Sequence, residues 1–270
     1  MKTITFGIQK GGTGKTSISM SVACQLALEG NQVLFIDADP QGNASGWGLK
    51  DIRNELADIF LHGATLEDTI HRTSITNLYM IPTAGLNGEL RLYGQTKAVE
   101  KLFAMRKLMP QIQDLGFDYV VIDTSPAFNA LEKQCFLASD EVIPILQLDI
   151  FSTDGLGIFT NLVKSLKEDY DSDRPSIKRI VLNSQDNRLP QQKALMELYQ
   201  KMNIELHVIP VDQAFKKSQG AGIFLQEYEG TKKETLDAVK HLAESINIRG
   251  LNYELGEKEN HEQWDTTRAS

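Results

Sequence analysis

The sequence predicts an α/β protein with a doubly wound, mostly parallel β-sheet and helices on both faces. Short apolar runs of strand length alternate along the chain with longer segments of helix length, which is the pattern of such a sheet. Two of the apolar runs end in aspartate, at the edge where parallel sheets bind their ligands. A length of 270 residues is normal for a single domain of this type.

The first strand is predicted around residues 4–8, where apolar side chains alternate. A helix follows it, because apolar residues recur at positions 18, 22 and 26. Further strands are predicted at Gln32–Asp37, Phe117–Asp123, Glu141–Leu146, Ile177–Asn183 and Ile204–Pro210. Further helices are predicted at Thr96–Leu115, Ala127–Ser139, Gly155–Tyr170, Pro190–Met202 and Thr231–Ile246. We see no internal repeat and no linker, so we expect one domain over residues 1–248.

Composition narrows the classes of function. The net charge of −8 does not suggest a protein coated in nucleic acid, so any DNA contact must come from a local basic patch. Two cysteines are too few for a disulfide framework, and no apolar run has the length of a membrane span. We therefore expect a cytoplasmic protein. Residues 249–270 are polar and rich in glutamate, which predicts a flexible C-terminal tail.

The most informative stretch is Gln9–Ser17, a glycine-rich turn between the first strand and the first helix. This context is that of a P-loop, whose backbone N–H groups bind phosphates with help from the helix dipole. Lys15 is expected to reach the β- and γ-phosphates of a nucleotide, and the Thr16 hydroxyl to ligate Mg²⁺. The predicted ATP-binding residues here are Lys10, Gly11, Gly12, Thr13, Gly14, Lys15, Thr16 and Ser17.

Carboxylates at strand ends add a second part to the predicted site. Asp37, Asp39 and Asp123 should gather beside the P-loop, because the carboxyl ends of parallel strands meet at one edge of a sheet. Asp123 ends an apolar strand and is expected to hold Mg²⁺ opposite Thr16.

Together, these motifs carry a family resemblance. The run from Lys10 to Thr16 (Lys-Gly-Gly-Thr-Gly-Lys-Thr) resembles the deviant Walker A motif of the ParA/MinD family of P-loop ATPases, and Soj-like ParA partition proteins in particular. Asp37–Gly42 (Asp-Ala-Asp-Pro-Gln-Gly), followed by Asn43, is similar to the family's switch I. Asp123-Thr-Ser-Pro126 is similar to its switch II, with Ser125 where proline is more usual.

The resemblance implies residue roles. Lys10 would cross a dimer interface to the partner's nucleotide and act in catalysis with Lys15 and Asp39. Asp39 would position the attacking water, and Asp37 would join Thr16 and Asp123 around Mg²⁺. Asn183 lies where family members place an adenine-facing residue. Ile209-Pro210 resembles the Ile-Pro pair that precedes their nucleotide-edge loop, so both Asn183 and Pro210 are predicted to bind ATP.

The family resemblance also implies binding partners. An ATP-bound homodimer would bind DNA nonspecifically and associate with the nucleoid. A ParB-like or adaptor protein would stimulate hydrolysis and so position a plasmid, chromosome or protein assembly. The lysines that could serve as the DNA-binding residues are Lys216, Lys217, Lys232 and Lys233.

Two other members of the superfamily fit the sequence less well. A MinD-like protein would end in a basic amphipathic helix, and the acidic tail favours no membrane contact. An iron–sulfur reductase would need two cysteines at the dimer interface, whereas Cys24 falls on the P-loop helix. The alternative that stays open is an ATP-dependent metabolic enzyme of the same fold that acts on a small carboxylate substrate.

Overall fold

A computed structural model describes residues 1–147, 152–185, 197 and 204–247. The strands are β1 (Lys2–Gly7), β2 (Val33–Ala38), β3 (His71–Arg72), β4 (Leu78–Ile81), β5 (Tyr119–Thr124), β6 (Glu141–Gln147), β7 (Arg179–Gln185) and β8 (Glu205–Pro210). Within the described residues they form one sheet in the order β3-β4-β2-β5-β1-β6-β7-β8. Every neighbouring pair is parallel except β3 and β4. The predicted doubly wound, mostly parallel sheet is therefore confirmed.

Helices cover both faces of the sheet. The first half of the chain contributes α1 (Lys15–Leu28), α2 (Asn43–Gly48), α3 (Leu56–Leu61), α4 (Leu66–Thr69), α5 (Leu90–Gln95), α6 (Lys97–Glu100) and α7 (Ala104–Asp114). The second half contributes α8 (Ala130–Ala138), α9 (Ser152–Asp169), α10 (Ala214–Ala221) and α11 (Lys233–Ile246). Short 3-10 turns lie at Gly85–Asn87 and Leu225–Glu227.

Alternation along the central strands divides the core between the two faces. On β2, Val33 and Phe35 pack in the cluster that contains α1 and α11, whereas Leu34 and Ile36 pack in the cluster that contains α7 and α8. A third cluster packs α8 and α9 against β6 and β7. Because strands buried on both faces need apolar side chains at every position, they appear in the sequence as continuous apolar runs.

The predicted helix Thr96–Leu115 is wrong as a single element, because it is broken between α6 and α7. The side chain of Gln134 on α8 donates to the carbonyls of Ala98 and Lys101, at 3.1 and 3.0 Å, and the Lys101 carbonyl also accepts from the Ala104 amide at 2.8 Å in a tight turn. The chain then turns so that Phe103 packs edge-on against Tyr170, with ring centroids 5.6 Å apart. Tertiary contacts therefore outweigh the local helical pattern.

Several elements were not predicted, namely β3, β4, the short helices α2–α5 and α10. Of the predicted segments, Pro190–Met202 lies outside the described residues apart from Glu197, and so does the tail. In the part of the chain that is described, no helix combines the length and the apolarity needed to cross a membrane.

An ion network joins the amino ends of four strands, opposite the edge that carries the P-loop. Arg179 lies 2.8 Å from Glu141 and 3.2 Å from Glu205, and Lys2 lies 3.2 Å from the same Glu141. His207 contacts Glu205 at 2.8 Å. The network therefore links β1, β6, β7 and β8 through side chains as well as through the sheet.

Candidate nucleotide site

The carboxyl ends of β1, β2 and β5 bring the predicted site residues together. Asp123 on β5 is the register partner of Phe6 on β1 and of Asp37 on β2. The P-loop leaves β1 at the same edge, and the turn that contains Asp39 follows β2. Residues that are distant in sequence therefore meet around one cleft of about 650 Å³.

The P-loop needs glycine at Gly14. Its φ of 92° lies in the left-handed region, and a Cβ there would collide with the side-chain amide of Asn183. That amide donates to the Thr13 carbonyl at 2.7 Å, and the Gln147 amide donates to the Gly12 carbonyl at 2.9 Å. Two side chains from β6 and β7 thus hold the loop at its carbonyl groups, and the first turn of α1 begins directly after it.

Lys15 lies beneath the loop with only 6% of its surface exposed. Its Nζ donates to the Lys10 carbonyl at 2.9 Å, which folds the loop back on itself. Burial lowers the pKa of Lys15, although the charges of Asp123 and Asp39 oppose that effect. A phosphate bound in the loop would give this buried ammonium group a charged partner.

Thr16, which lines the cleft, and Asp123, which is buried directly behind it, form the part of the site that fits a metal ion. The Thr16 hydroxyl donates to Asp123 Oδ2 at 2.6 Å, and Asp123 is fully buried. The other oxygen, Oδ1, has no hydrogen-bond partner among the described residues. Burial, followed by the charge of Asp37, raises the pKa of Asp123 to about 8. A hard divalent cation such as Mg²⁺ would pair with this oxygen, lower that pKa and organise the phosphates of a nucleotide.

Asp37 and Asp39 face different surroundings. Asp37 is fully buried and accepts hydrogen bonds from the Ser45 amide and hydroxyl at 2.8 and 2.6 Å. Burial raises its pKa to about 6. Asp39 instead lines the cleft, and its Oδ1 accepts from the Gln41 amide at 2.9 Å. The role of Asp37 in the Mg²⁺ shell stays a prediction, since Ser45 donates both of its hydrogen bonds to Oδ2 and the Asp39 amide donates to Oδ1 at 3.2 Å.

The loop after Asp39 rests against the segment that follows β4. Gly42 has a φ of 67°, and a Cβ there would come within 2.9 Å of Gly85 Cα and of the Thr83 carbonyl. The Thr83 hydroxyl donates to the Asp37 carbonyl at 2.7 Å, and its amide donates to Ser45 Oγ at 2.8 Å. Thr83 and Ser45 therefore fix the shape of this loop, and neither was singled out from the sequence.

The opposite wall of the cleft comes from β7 and from the segment after β8. Asn183 lines it, as predicted from its position, but its amide contacts the P-loop. Pro210 ends β8, and it is the following residues, Val211–Gln213, that line the cleft, together with Phe215 and Gln219. The adenine contact of Asn183 and the ATP contact of Pro210 stay predictions. Gln147, at the end of β6, could have been found by applying the strand-end rule to every strand.

The four lysines expected to bind DNA do not form one group. Lys216 lines the nucleotide cleft, whereas Lys217 and Lys232 line a neighbouring depression. Lys232 Nζ donates to the Val211 carbonyl at 3.0 Å and lies 3.5 Å from Glu234. Lys233 is the exposed first residue of α11. Their assignment to DNA therefore stays a prediction, and Lys216 has a second possible ligand in the nucleotide.

Comparison with known proteins agrees with this geometry. The sequence profile of the AAA domain family matches residues 1–177, well over half of the chain. The chain belongs to this family, the ParA/MinD-type P-loop ATPases. As an ATPase of this family, it hydrolyses ATP to ADP and phosphate and uses Mg²⁺.

A chromosome partitioning protein is among the relatives of the chain. The chain is 33% identical to the chromosome partitioning protein ParA of Caulobacter vibrioides over 195 residues, covering 70% of this chain and 71% of ParA. It is 32% identical to the sporulation initiation inhibitor protein Soj of Bacillus subtilis, covering 69% of this chain and 74% of Soj. The Mg-ADP complex of the septum site-determining protein MinD from Pyrococcus horikoshii shares the fold, with a TM-score of 0.75 and 24% identity over 92% of this chain and 97% of MinD.

Proposed function

We propose that this partition-type ATPase forms an ATP-dependent homodimer that binds DNA nonspecifically and positions a cargo through partner-stimulated hydrolysis. ATP would order the switch loops and join two subunits, and hydrolysis would release them. The cargo is a plasmid, a chromosome or a protein assembly. In the ATP-bound state the protein would be associated with the nucleoid.

The observation that carries the proposal is the pair of lysines in the P-loop. Lys15 is buried beneath the loop, whereas Lys10 is only half-buried at its rim. A nucleotide needs one buried lysine for its terminal phosphates, and Lys15 provides it. The second lysine, Lys10, is not needed for that role, and this supports a contact with a nucleotide in another subunit, as the family resemblance implies.

The two lysines should be separable by experiment. Lys15→Ala should abolish ATP binding, because the phosphates lose their main cationic partner. Lys10→Ala should bind ATP but remain monomeric with a slowly hydrolysed ATP analogue, as measured by light scattering. A Lys10→Ala protein that dimerises normally would contradict the cross-subunit role.

Binding of DNA is supported by exposed lysines near the nucleotide cleft. Lys217 and Lys233 are both exposed, and a dimer would carry each of them twice. Because a dimer presents the weak basic patch twice, it would bind DNA more strongly than a monomer does. Dimerisation would therefore control DNA binding, despite the net charge of −8. Lys216 is left out of the test variant, since its place in the cleft would confuse DNA binding with ATP binding.

DNA retention tests this part of the proposal. The ATP-bound protein should retain duplex DNA of any sequence, with a log–log salt slope of about −0.9 for each neutralised phosphate. Lys217→Glu/Lys233→Glu should weaken retention and reduce the slope while basal ATPase activity is unchanged. The control Lys107→Glu/Lys164→Glu makes the same charge change on α7 and α9. No retention by the unmodified protein, even at low salt, would favour the small-carboxylate enzyme instead.

A further inference from the structure

The segment between β5 and α8 connects the metal part of the site to a helix outside it. Asp123 is the penultimate residue of β5, and Pro126 lines the nucleotide cleft. Ser125, which lies between them in the chain, instead lines a separate cleft between α5, α6 and the start of α8. A substitution of Ser125 therefore removes none of the side chains that line the nucleotide cleft.

The Ser125 side chain ties this segment to α8. Its hydroxyl donates to Glu132 Oε1 at 2.5 Å and accepts from the Ala127 amide at 3.2 Å. Glu132 is 3% exposed, and its Oε2 accepts from the Asn129 amide at 3.0 Å. A buried carboxylate holds its donors firmly, because the loss of either hydrogen bond would leave a buried oxygen unpaired.

The backbone at position 125 depends on this hydrogen bond for its rigidity. Proline is more usual here in the family, and a proline ring fixes φ near −65° without any side-chain contact. Serine leaves that rotation free, so a single conformation has to be imposed by the hydroxyl. Thr124 is held separately, since its hydroxyl donates to the Phe6 carbonyl at 3.0 Å. The place of Pro126 in the cleft wall therefore depends on the bond between Ser125 and Glu132.

We propose that Glu132 is a positioning residue for ATP hydrolysis, which acts through the Ser125 hydroxyl. By fixing Ser125, it holds Pro126 in the cleft wall and keeps the chain after Asp123 in one conformation. This part of the wall would then need no rearrangement during hydrolysis. The inference rests on ATP hydrolysis itself and not on the DNA binding or the partner proposed above.

Glu132 also caps α8, and the experiment has to separate the two roles. Glu132 and Asn129 form a capping box, in which each side chain accepts from the backbone amide of the other. Loss of a helix cap lowers stability without acting on the nucleotide. Ser125→Ala removes the bond to Glu132 and keeps the capping box, whereas Asn129→Ala breaks the box and keeps the bond. These two substitutions are therefore matched.

Steady-state ATPase measurements on the full chain compare the variants. Ser125→Ala and Glu132→Ala should each lower kcat about tenfold and keep KM for ATP within about twofold, because the P-loop contacts are unchanged. Glu132→Gln should recover most of the rate, since its amide can donate to the Ser125 hydroxyl while its oxygen accepts from the Asn129 amide. Asn129→Ala should keep kcat within about twofold. A normal kcat in Ser125→Ala, or an equal loss in Asn129→Ala, would overturn the proposal.

Proline at position 125 provides a readout that a merely structural role of Glu132 would not change. Thr124 belongs to β5, and extended backbone is the conformation that a following proline requires. Ser125→Pro should therefore keep more of kcat than Ser125→Ala does. In the Ser125→Pro background, Glu132→Ala should lower kcat no further, because the ring now fixes the segment. An equal effect of Glu132→Ala in both backgrounds would show that Glu132 acts through the stability of α8, and the proposal would be wrong.

Discussion

Asp37 and Asp39 are separated by one residue, yet their carboxylates have different environments. Asp37 is enclosed by Ser45, whereas Asp39 lies at the surface of the nucleotide cleft. Only the second is placed to contact a water molecule next to a bound phosphate. We therefore expect Asp39→Ala to slow hydrolysis by about two to three orders of magnitude while ATP binding is kept, because ordering of the attacking water is lost. Single-turnover kinetics and nucleotide titration measure the two effects separately.

Asp39→Asn is the matched control for this prediction. Asp39 Oδ1 also accepts a hydrogen bond from the Gln41 amide, so alanine removes a contact that shapes the loop. Asparagine keeps an oxygen for that contact and removes the charge. Similar rates for the two variants would assign the effect to the carboxylate, and recovery in asparagine would assign it to the shape of the loop.

At the scale of residues, sequence patterns predicted the site residues that directly follow a strand in the chain. The P-loop and Asp123 could be found because each follows its own strand in the sequence. Asn183 and Lys216 reach the cleft by folding, and the contact between Asn183 and Thr13 spans 170 positions. Alternation and spacing carry no information about such contacts.

At the scale of elements, α2 is tied to the segment that follows α10. Trp47 on α2 is buried, and its Nε1 donates to the Ile223 carbonyl at 2.8 Å. Its ring is stacked on Phe224, with the ring centroids 6.1 Å apart. The Trp47 side chain thus connects α2, which follows the loop of Asp39, to the segment after α10, the helix that carries Lys216 and Lys217.

We expect the two parts of this contact to differ in energy. Trp47→Phe keeps an aromatic ring and should lower the free energy of unfolding by about 1 kcal/mol through the lost hydrogen bond. Trp47→Ala also leaves a cavity and should lower it by about 3–5 kcal/mol. Urea denaturation followed by circular dichroism measures both, and equal losses would show that the hydrogen bond, not the ring, stabilises this junction.

The short helices that sequence analysis missed share one property. The helices α2–α5 have four to six residues each, which is too few for a 3.6-residue period to be recognised. Their conformations depend on buried partners such as Glu55, which accepts hydrogen bonds from the amides of Ala84 and Glu89. The long elements of the sheet and its covering layers were predicted because their patterns extend over several turns or strand positions.

At the scale of the whole molecule, the ion network at the amino ends of the strands makes stability depend on pH. Burial lowers the pKa of His207 below 6.5, although Glu205 opposes that effect. Burial alone would raise the pKa of Glu205, but the charges of Arg179 and His207 outweigh it and lower that pKa. Both groups bind protons more readily in the unfolded chain, so each stabilises the fold at neutral pH and loses that contribution in acid.

The pH at which this loss begins identifies the group that causes it. His207 should act first, as pH falls below 6.5, and Glu205 at lower pH. We expect His207→Asn to reduce the fall in unfolding free energy between about pH 7 and about pH 5, as measured by urea denaturation. His241→Asn, at an exposed position next to Glu244, should leave that fall unchanged. A fall as steep in His207→Asn as in the unmodified protein would assign the acid sensitivity to other groups.

The loops that carry Asp39 and Pro126 separate the nucleotide cleft from a second cleft of about 470 Å³, which lies between α5, α6 and the start of α8 and is lined by Pro40 and Ser125. This shared wall has a thermodynamic consequence. If Pro40 and Ser125 contact one ligand while Asp39 and Pro126 contact the other, then binding in either cleft changes the affinity of the other by the same factor. A ligand that is bound tenfold more tightly by the ATP form than by the nucleotide-free form must raise the affinity for ATP tenfold. Hydrolysis would change the affinity for that ligand by the ratio of its affinities for the ATP form and the ADP form. Occupancy of the second cleft would then follow the state of the nucleotide.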